Sequence, residues 1–327
     1  MKIWERVVSS RDIFKKPIFK WLYFLVLFSI ITYYLWSWSD KFRNLVIKAN
    51  LIMILFVFLC TCGVVLFYVF IHYSIYQGMG VKVSFPRVLK IMTLASLGKY
   101  IPGKVLFAGN YLIFSREAGI NLKDIGASFA ISQCLWLLSA AICSLSIISF
   151  LSSPLKYSII SLPFIVGLFI HPRILNWILS GVEKLANRYL KPGKMVNLQI
   201  PPGVGYLLYI RITVFYLLGW ILAGLGVFFA VRAFYPMGIG VFPLCLSSAA
   251  ISTVIGFLAI FAPAGLGVKE GVGTLILATL APVEIGFFAM FLLRIVTITV
   301  WLGFTLVSVI FVRSSSESER SNIRVSL

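Results

Sequence analysis

Acid is what this sequence lacks most. Its 327 residues hold 10 Asp and Glu against 29 Lys and Arg, with only two His. So few carboxylates leave little room for paired acid/base chemistry, and there is no nucleotide-binding loop and no nucleophile beside a base. A membrane glycosyltransferase would carry paired acids in its first outer loop, where Asp40 stands alone. The five cysteines, at 60, 62, 134, 143 and 245, all lie in apolar runs and offer neither a disulfide framework nor metal-ligand spacing. His72 and His171 stand at span edges without a second ligand nearby, so no metal or cofactor is expected. Charged residues make up 12% of the chain, about half the share usual in soluble domains.

What is present is hydrophobicity. Apolar residues account for 60% of the chain and the mean hydropathy is +1.00, the composition of a multi-pass membrane protein. The first twenty residues carry six Lys/Arg, and the apolar run 21–38 has aromatic flanks without a small-residue cleavage site, so it reads as a first span rather than a signal peptide. The net charge of +19 suggests nucleic acid at first sight. The basic residues, however, cluster in loops beside spans, which fits membrane orientation and not a nucleic-acid face.

Apolar runs place spans at 21–38, 49–71, 125–155, 157–170, 206–231 and 285–312, with Arg211 and Arg294 the charges inside them, each measured against the roughly 20 residues a bilayer requires. The segment 173–190 has helical apolar spacing opposite Glu183, Lys184 and Arg188, and reads as a helix lying on the membrane surface. With both termini inside, 21 of the 29 Lys/Arg fall on inner segments and six on outer ones. That asymmetry predicts a cytoplasmic N-terminus and C-terminus in the inner membrane. Residues 1–312 read as one membrane domain and 313–327 as a disordered cytoplasmic tail.

Two stretches break this pattern. From Phe257 to Leu280 an apolar run gives way to Pro263, the glycines at 265, 267 and 271, and the Lys269-Glu270 pair, then resumes. From Leu94 to Phe114 the same plan recurs around Gly98, Lys99, Pro102, Gly103 and Lys104. Each reads as a pair of half-helices meeting at a turn, and paired interruptions in the two halves of a membrane chain point to a substrate site. The plainer alternative is two tight turns between short helices. The expected fold is therefore all-α, with about six full transmembrane helices and two re-entrant helical hairpins of opposite orientation.

Six charged residues are candidates for binding a substrate. Arg294 lies nine residues into the last span, Glu270 is its natural partner, and Lys269 and Arg211 can join them around a phosphate. Lys99 and Lys104 bracket the first turn, where the N-terminus of the half-helix starting near Val105 also favours an anion. Against these readings stand a purely structural Glu270–Arg294 pair and, for Lys99, Lys104 and Arg211, snorkelling to the interface. The glycines at 98, 103, 265, 267 and 271, with Pro102 and Pro263, are expected to shape the breaks.

The stretch PAGLGVKE at 263–270 resembles the P-G-G-L-G-x-x-E motif of the lysylphosphatidylglycerol synthase transmembrane (flippase-like) family, and GKYIPGK at 98–104 resembles its earlier P-G-R/K motif. The resemblance implies an inner-membrane protein that moves a phospholipid or another lipid-linked headgroup between leaflets. The chain departs from the pattern at Ala264, where the family has Gly. It departs again at Leu106, Phe107 and Asn110, where a Gly-Glu pair and a following Arg are frequent. No aminoacyl-transferase domain follows, so synthesis of a lysyl-lipid is not expected. The partners to expect are a membrane lipid or lipid-linked substrate, a cell-envelope pathway enzyme and a second copy of the chain. A transferase for a lipid-linked sugar and a non-catalytic scaffold are the competing readings.

Overall fold

The structure is a computed structural model that describes residues 49–100, 105–150, 177, 180, 181, 184, 205–259 and 262–325, with side chains omitted at 105–106, 148–150 and 311–325. Among the described residues the chain is helical, without strands. Helix α1 spans Leu51–Gly78 and α2 spans Phe85–Leu97, followed by a 3-10 turn at Gly98–Tyr100. Helix α3 covers Val105–Glu117, α4 covers Leu122–Ser144 and α5 covers Tyr206–Arg232. Helix α6 is Phe242–Leu258, a 3-10 turn follows at Pro263–Gly265, α7 is Val268–Leu277 and α8 is Val283–Val325.

Five stretches are long and apolar enough to cross a membrane: Leu51–Gly78, Leu122–Ile147, Tyr206–Arg232, Ile239–Leu258 and Val283–Ile310. They define a multi-pass membrane protein. Leu51, Leu59, Leu207, Ile210, Leu306 and Ile310 point outward, 53–80% exposed, as helices do when their outer faces meet lipid rather than water. Helices α2 and α3 have 13 residues each and α7 has 10. At about 1.5 Å per residue they rise roughly 15–20 Å, well short of a hydrocarbon core of roughly 30 Å. The run 242–262, expected from sequence as half of a re-entrant pair with 271–281, falls largely in the stretch Ile239–Leu258, which has 20 residues and the length of a full crossing. The proposed spans 21–38 and 157–170, and most of the surface helix 173–190, lie outside the described residues.

Local chemistry sets the helix ends. The side chain of Asn50 accepts from the backbone N–H of Ile52 and Met53, and its own N–H donates to the carbonyl of Ala233, which ties the start of α1 to the end of α5. Pro86 and Pro243 open α2 and α6, where the missing N–H costs nothing. Helix α8 continues through the Ser-rich segment to Val325, where the sequence suggested a disordered tail. Extending an existing helix costs far less than nucleating one.

Helix α5 packs along α1 and against α6, and α8 packs on α7, α2 and α1. The interfaces use small and hydroxylated residues, as expected where lipid removes the hydrophobic drive for helix association. Ser247, Ser248 and Ser252 on α6 are fully buried. The Trp220 indole N–H donates to Ser139 at 3.0 Å, and the buried hydroxyls of Thr93 and Ser308 bond at 3.0 Å between α2 and α8. Helices α5 and α6 approach closely at Gly224, where a Cβ would meet the Leu246 backbone at 2.9 Å. Gly224→Ala is therefore expected to lower stability by about 1–3 kcal/mol through overpacking. Thermal unfolding in detergent checks this, and an unchanged melting temperature would contradict so close a contact.

Candidate functional site

The two breaks, far apart in sequence, come together. The turn at Gly98–Tyr100 touches the turn at Pro263–Gly265. Beside them lies a cavity of about 350 Å³ lined by Lys99, Lys269, Glu270 and Arg294, with walls from α1, α4, α5, α6 and α8. The volume is at the low end of the roughly 300–1,000 Å³ of small-molecule pockets, so it suits a headgroup rather than acyl tails.

The second break is built on left-handed backbone. Ala264, Gly265 and Gly267 have φ of 49°, 68° and 80°. At Gly265 a Cβ would also lie 2.8 Å from the Cα and carbonyl oxygen of Gly256, so the end of α6 and the break meet glycine to glycine. Ala264 occupies this conformation with a Cβ, which costs about 1–2 kcal/mol relative to a right-handed residue, partly offset by its lower entropy loss than glycine. Ala264→Gly is expected to raise stability by a few tenths to about 1 kcal/mol, read as a higher melting temperature. A drop would contradict the left-handed assignment. Gly271, assigned to the break from sequence, lies inside α7 with open space around it, and Gly98 is right-handed at φ −62°.

Glu270 and Arg294 lock this break. Arg294 Nε donates to Glu270 Oε1 at 2.5 Å, and its Nη1 donates to the carbonyl of Ala264 at 3.1 Å. Nη2 also lies 2.5 Å from Oε1, but off the N–H direction, so it makes an ion pair without a hydrogen bond of its own. The other carboxylate oxygen, Oε2, accepts the Gly267 N–H at 2.7 Å, the side-chain half of a capping box at the start of α7. Both side chains are nearly buried, at 11% and 12% exposure. Arg294, from the last span, thus holds the turn and the first turn of α7 in one place. Both Glu270 oxygens are engaged.

The two lysines differ. Among the described residues neither Lys99 nor Lys269 forms a salt bridge. The Lys99 ammonium sits among three rings, 4.7 Å from the centroid of Phe107, 4.9 Å from Tyr68 and 5.0 Å from Trp301. A desolvated cation–π contact is worth up to about 2 kcal/mol or more. Three such contacts together are of the same order as the several kcal/mol it costs to bury an ion without a counterion. Lys99 can therefore remain charged without a carboxylate. Burial, and then the neighbouring Lys269, lower its pKa from 10.5 to about 8. Lys269 is also lowered to about 8, by burial and then Arg294, with Glu270 opposing.

A polar chain runs from the cavity wall into the bundle. The Tyr216 hydroxyl bonds Ser132 at 2.7 Å, Ser132 bonds His72 Nε2 at 3.0 Å, and His72 Nδ1 bonds the Tyr68 carbonyl at 2.9 Å. A carbonyl only accepts, so Nδ1 carries a proton. This chain fixes Tyr216 and, through His72, the helix turn that bears the Tyr68 ring.

Of the six charged candidates, the structure gathers Lys99, Lys269, Glu270 and Arg294. Arg211 is exposed near the start of α5, away from the cavity lining. Lys104, with Pro102 and Gly103, lies outside the described residues. His72, placed by the sequence at a span edge, is instead buried inside α1, which runs on to Gly78. Sequence reasoning also missed the aromatic walls, Tyr68, Trp136, Tyr216, Trp220 and Trp301. Their only signal was placement deep in spans, away from the interfacial belts where Trp and Tyr concentrate.

Fold and cavity together define a multi-pass helical membrane protein with an internal, cation-rich pocket. Its sequence matches no family model and no curated protein.

Proposed function

We propose that the protein is a lipid translocase that moves an anionic phospholipid or a lipid-linked saccharide between leaflets. The observation that carries this reading is the convergence of two breaks on one cavity holding three cations and a single, already engaged carboxylate. Irregular backbone at membrane depth is tolerated where it lines such a cavity, and broken helices are a recurrent way to build a midplane site. The anionic headgroup enters the cavity against Lys99 and Lys269 while the tails stay in lipid. The short helices α2 and α3, and α7 with the end of α6, act as hairpins entering from opposite sides, in an inner-membrane protein with both termini cytoplasmic. The motif resemblance to the flippase-like family supports the same assignment.

A transferase that uses a carboxylate as its acid or base would need one free in the cavity, and the engagement of both Glu270 oxygens weighs against it. The test is reconstitution of purified protein into liposomes carrying fluorescent lipids, with an impermeant quencher added outside. Wild-type protein is expected to render inner-leaflet probe accessible, and Lys99→Gln/Lys269→Gln to abolish this. Failure of wild type to move any anionic phospholipid or lipid-linked saccharide would overturn the reading.

A further inference from the structure

The charge inventory of the cavity specifies more than "anionic". Arg294 is neutralised by Glu270, which also takes the Gly267 N–H, so this pair has no carboxylate left for the lysines. Lys99 is held by the faces of Phe107, Tyr68 and Trp301, which stabilise a cation without cancelling its charge. Lys269 lines the same cavity as Lys99, and its charge disfavours that of Lys99. Two like charges therefore face one cavity, and among the described residues neither has an ionic partner.

We propose that the ligand of this cavity presents two negative charges at one end, as a terminal phosphate monoester or a diphosphate does. A phosphodiester, with a single charge, would meet only one of the two ammonium groups with an opposite charge. A phosphomonoester carries about −1.5 to −2 at neutral pH and three strong acceptor oxygens, enough for one ammonium on each side. A diphosphate linkage carries comparable charge over a longer span. The apolar wall next to the lysines, including Trp136 and Trp220 with ring centroids 5.9 Å apart, suits the stem that such a group terminates. This inference rests on the translocase reading for its lipid source, but the pairing of two lysines with two charges stands on the cavity alone.

The test uses the full chain in detergent, with binding followed by tryptophan fluorescence. The probes are phosphatidic acid, farnesyl diphosphate, phosphatidylglycerol and inorganic pyrophosphate. Phosphatidic acid and farnesyl diphosphate are expected to bind wild type about tenfold more tightly than phosphatidylglycerol, since one further buried charge pair easily supplies that factor. Lys99→Gln and Lys269→Gln should each reduce the preference to about twofold or less, whereas Lys99→Arg, which keeps the charge, should retain it. Retention by Lys99→Arg shows that loss in Lys99→Gln is not collapse of the aromatic cage.

Phosphatidylglycerol binding as tightly as phosphatidic acid in wild type would overturn the two-charge inference while leaving the lipid reading in place. A preference that survives both glutamine variants would overturn it as well. Pyrophosphate binding as tightly as farnesyl diphosphate, with the same dependence on the lysines, would support the two-charge site and overturn the lipid source.

Discussion

Replacing Arg294 with methionine is expected to cost about 3–5 kcal/mol, because it leaves the nearly buried Glu270 carboxylate without its counterion and frees the Ala264 carbonyl. For a chain of this size that corresponds to a fall in melting temperature of roughly 10 °C. Adding Glu270→Gln to Arg294→Met should recover more than half of the loss. Gln keeps an acceptor for the Gly267 N–H but brings no unpaired charge, and replacing both ions of a buried pair is far less costly than removing one. Thermal unfolding of the two single variants and the double variant gives the coupling directly. Simple additivity would show that the pair does not hold the break.

The second large effect concerns pH. Lys99 and Lys269 both have pKa values lowered from 10.5 to about 8, so their charge is lost over an accessible range. The groups facing Lys99 are Tyr68, Phe107 and Trp301, with Lys269 and His72 close enough to act on its charge. An anion needs the ammonium forms. For a headgroup whose own charge does not change, binding should therefore be nearly constant below about pH 7 and fall steeply as pH rises through about 8.

Stability of the empty protein should move the other way. Between about 8 and 10.5 the unfolded chain binds more protons than the folded one, so these lysines make folding more favourable as pH rises. Titrating lipid affinity and melting temperature on the same preparation tests both signs. In Lys99→Gln/Lys269→Gln both trends should flatten. Affinity that is unchanged from pH 7 to about 9.5 would show that the lysine charges do not hold the ligand.

How much of this was legible in the sequence can be seen by comparing Arg294 with Arg211. Arg294 lies nine residues into the last span, whereas Arg211 lies about a turn inside the inner end of its span, where it can also reach the interface. Helix rotation separates them, since Arg294 faces the break and Arg211 faces outward near the start of α5. The breaks themselves were plain, because proline, glycine and charge inside lipid-grade sequence have few harmless explanations. The turns at 98–100 and 263–265 are in contact.

The number of crossings was less legible. The run Ile239–Leu258 is long enough to span, and its expected role as half of a hairpin depended on the orientation of everything after it. The aromatic cage could not be read at all. Tyr68, Phe107 and Trp301 come from three separate helices, and a span offers many aromatic residues with no sign of which face inward. His72 was misplaced for a related reason. The span assigned from sequence, 49–71, stops beside it, but the helix continues to Gly78 and carries it into the interior.

The measurement closest to the central claim is mass spectrometry of lipids retained by purified wild-type protein, beside Lys99→Gln/Lys269→Gln and Arg211→Gln. One anionic or lipid-linked species is expected to be enriched in wild type and in Arg211→Gln, and lost from the double lysine variant. The same nonselective lipids in all three preparations would contradict it, and would reduce the cavity cations to structural anchors of the two breaks.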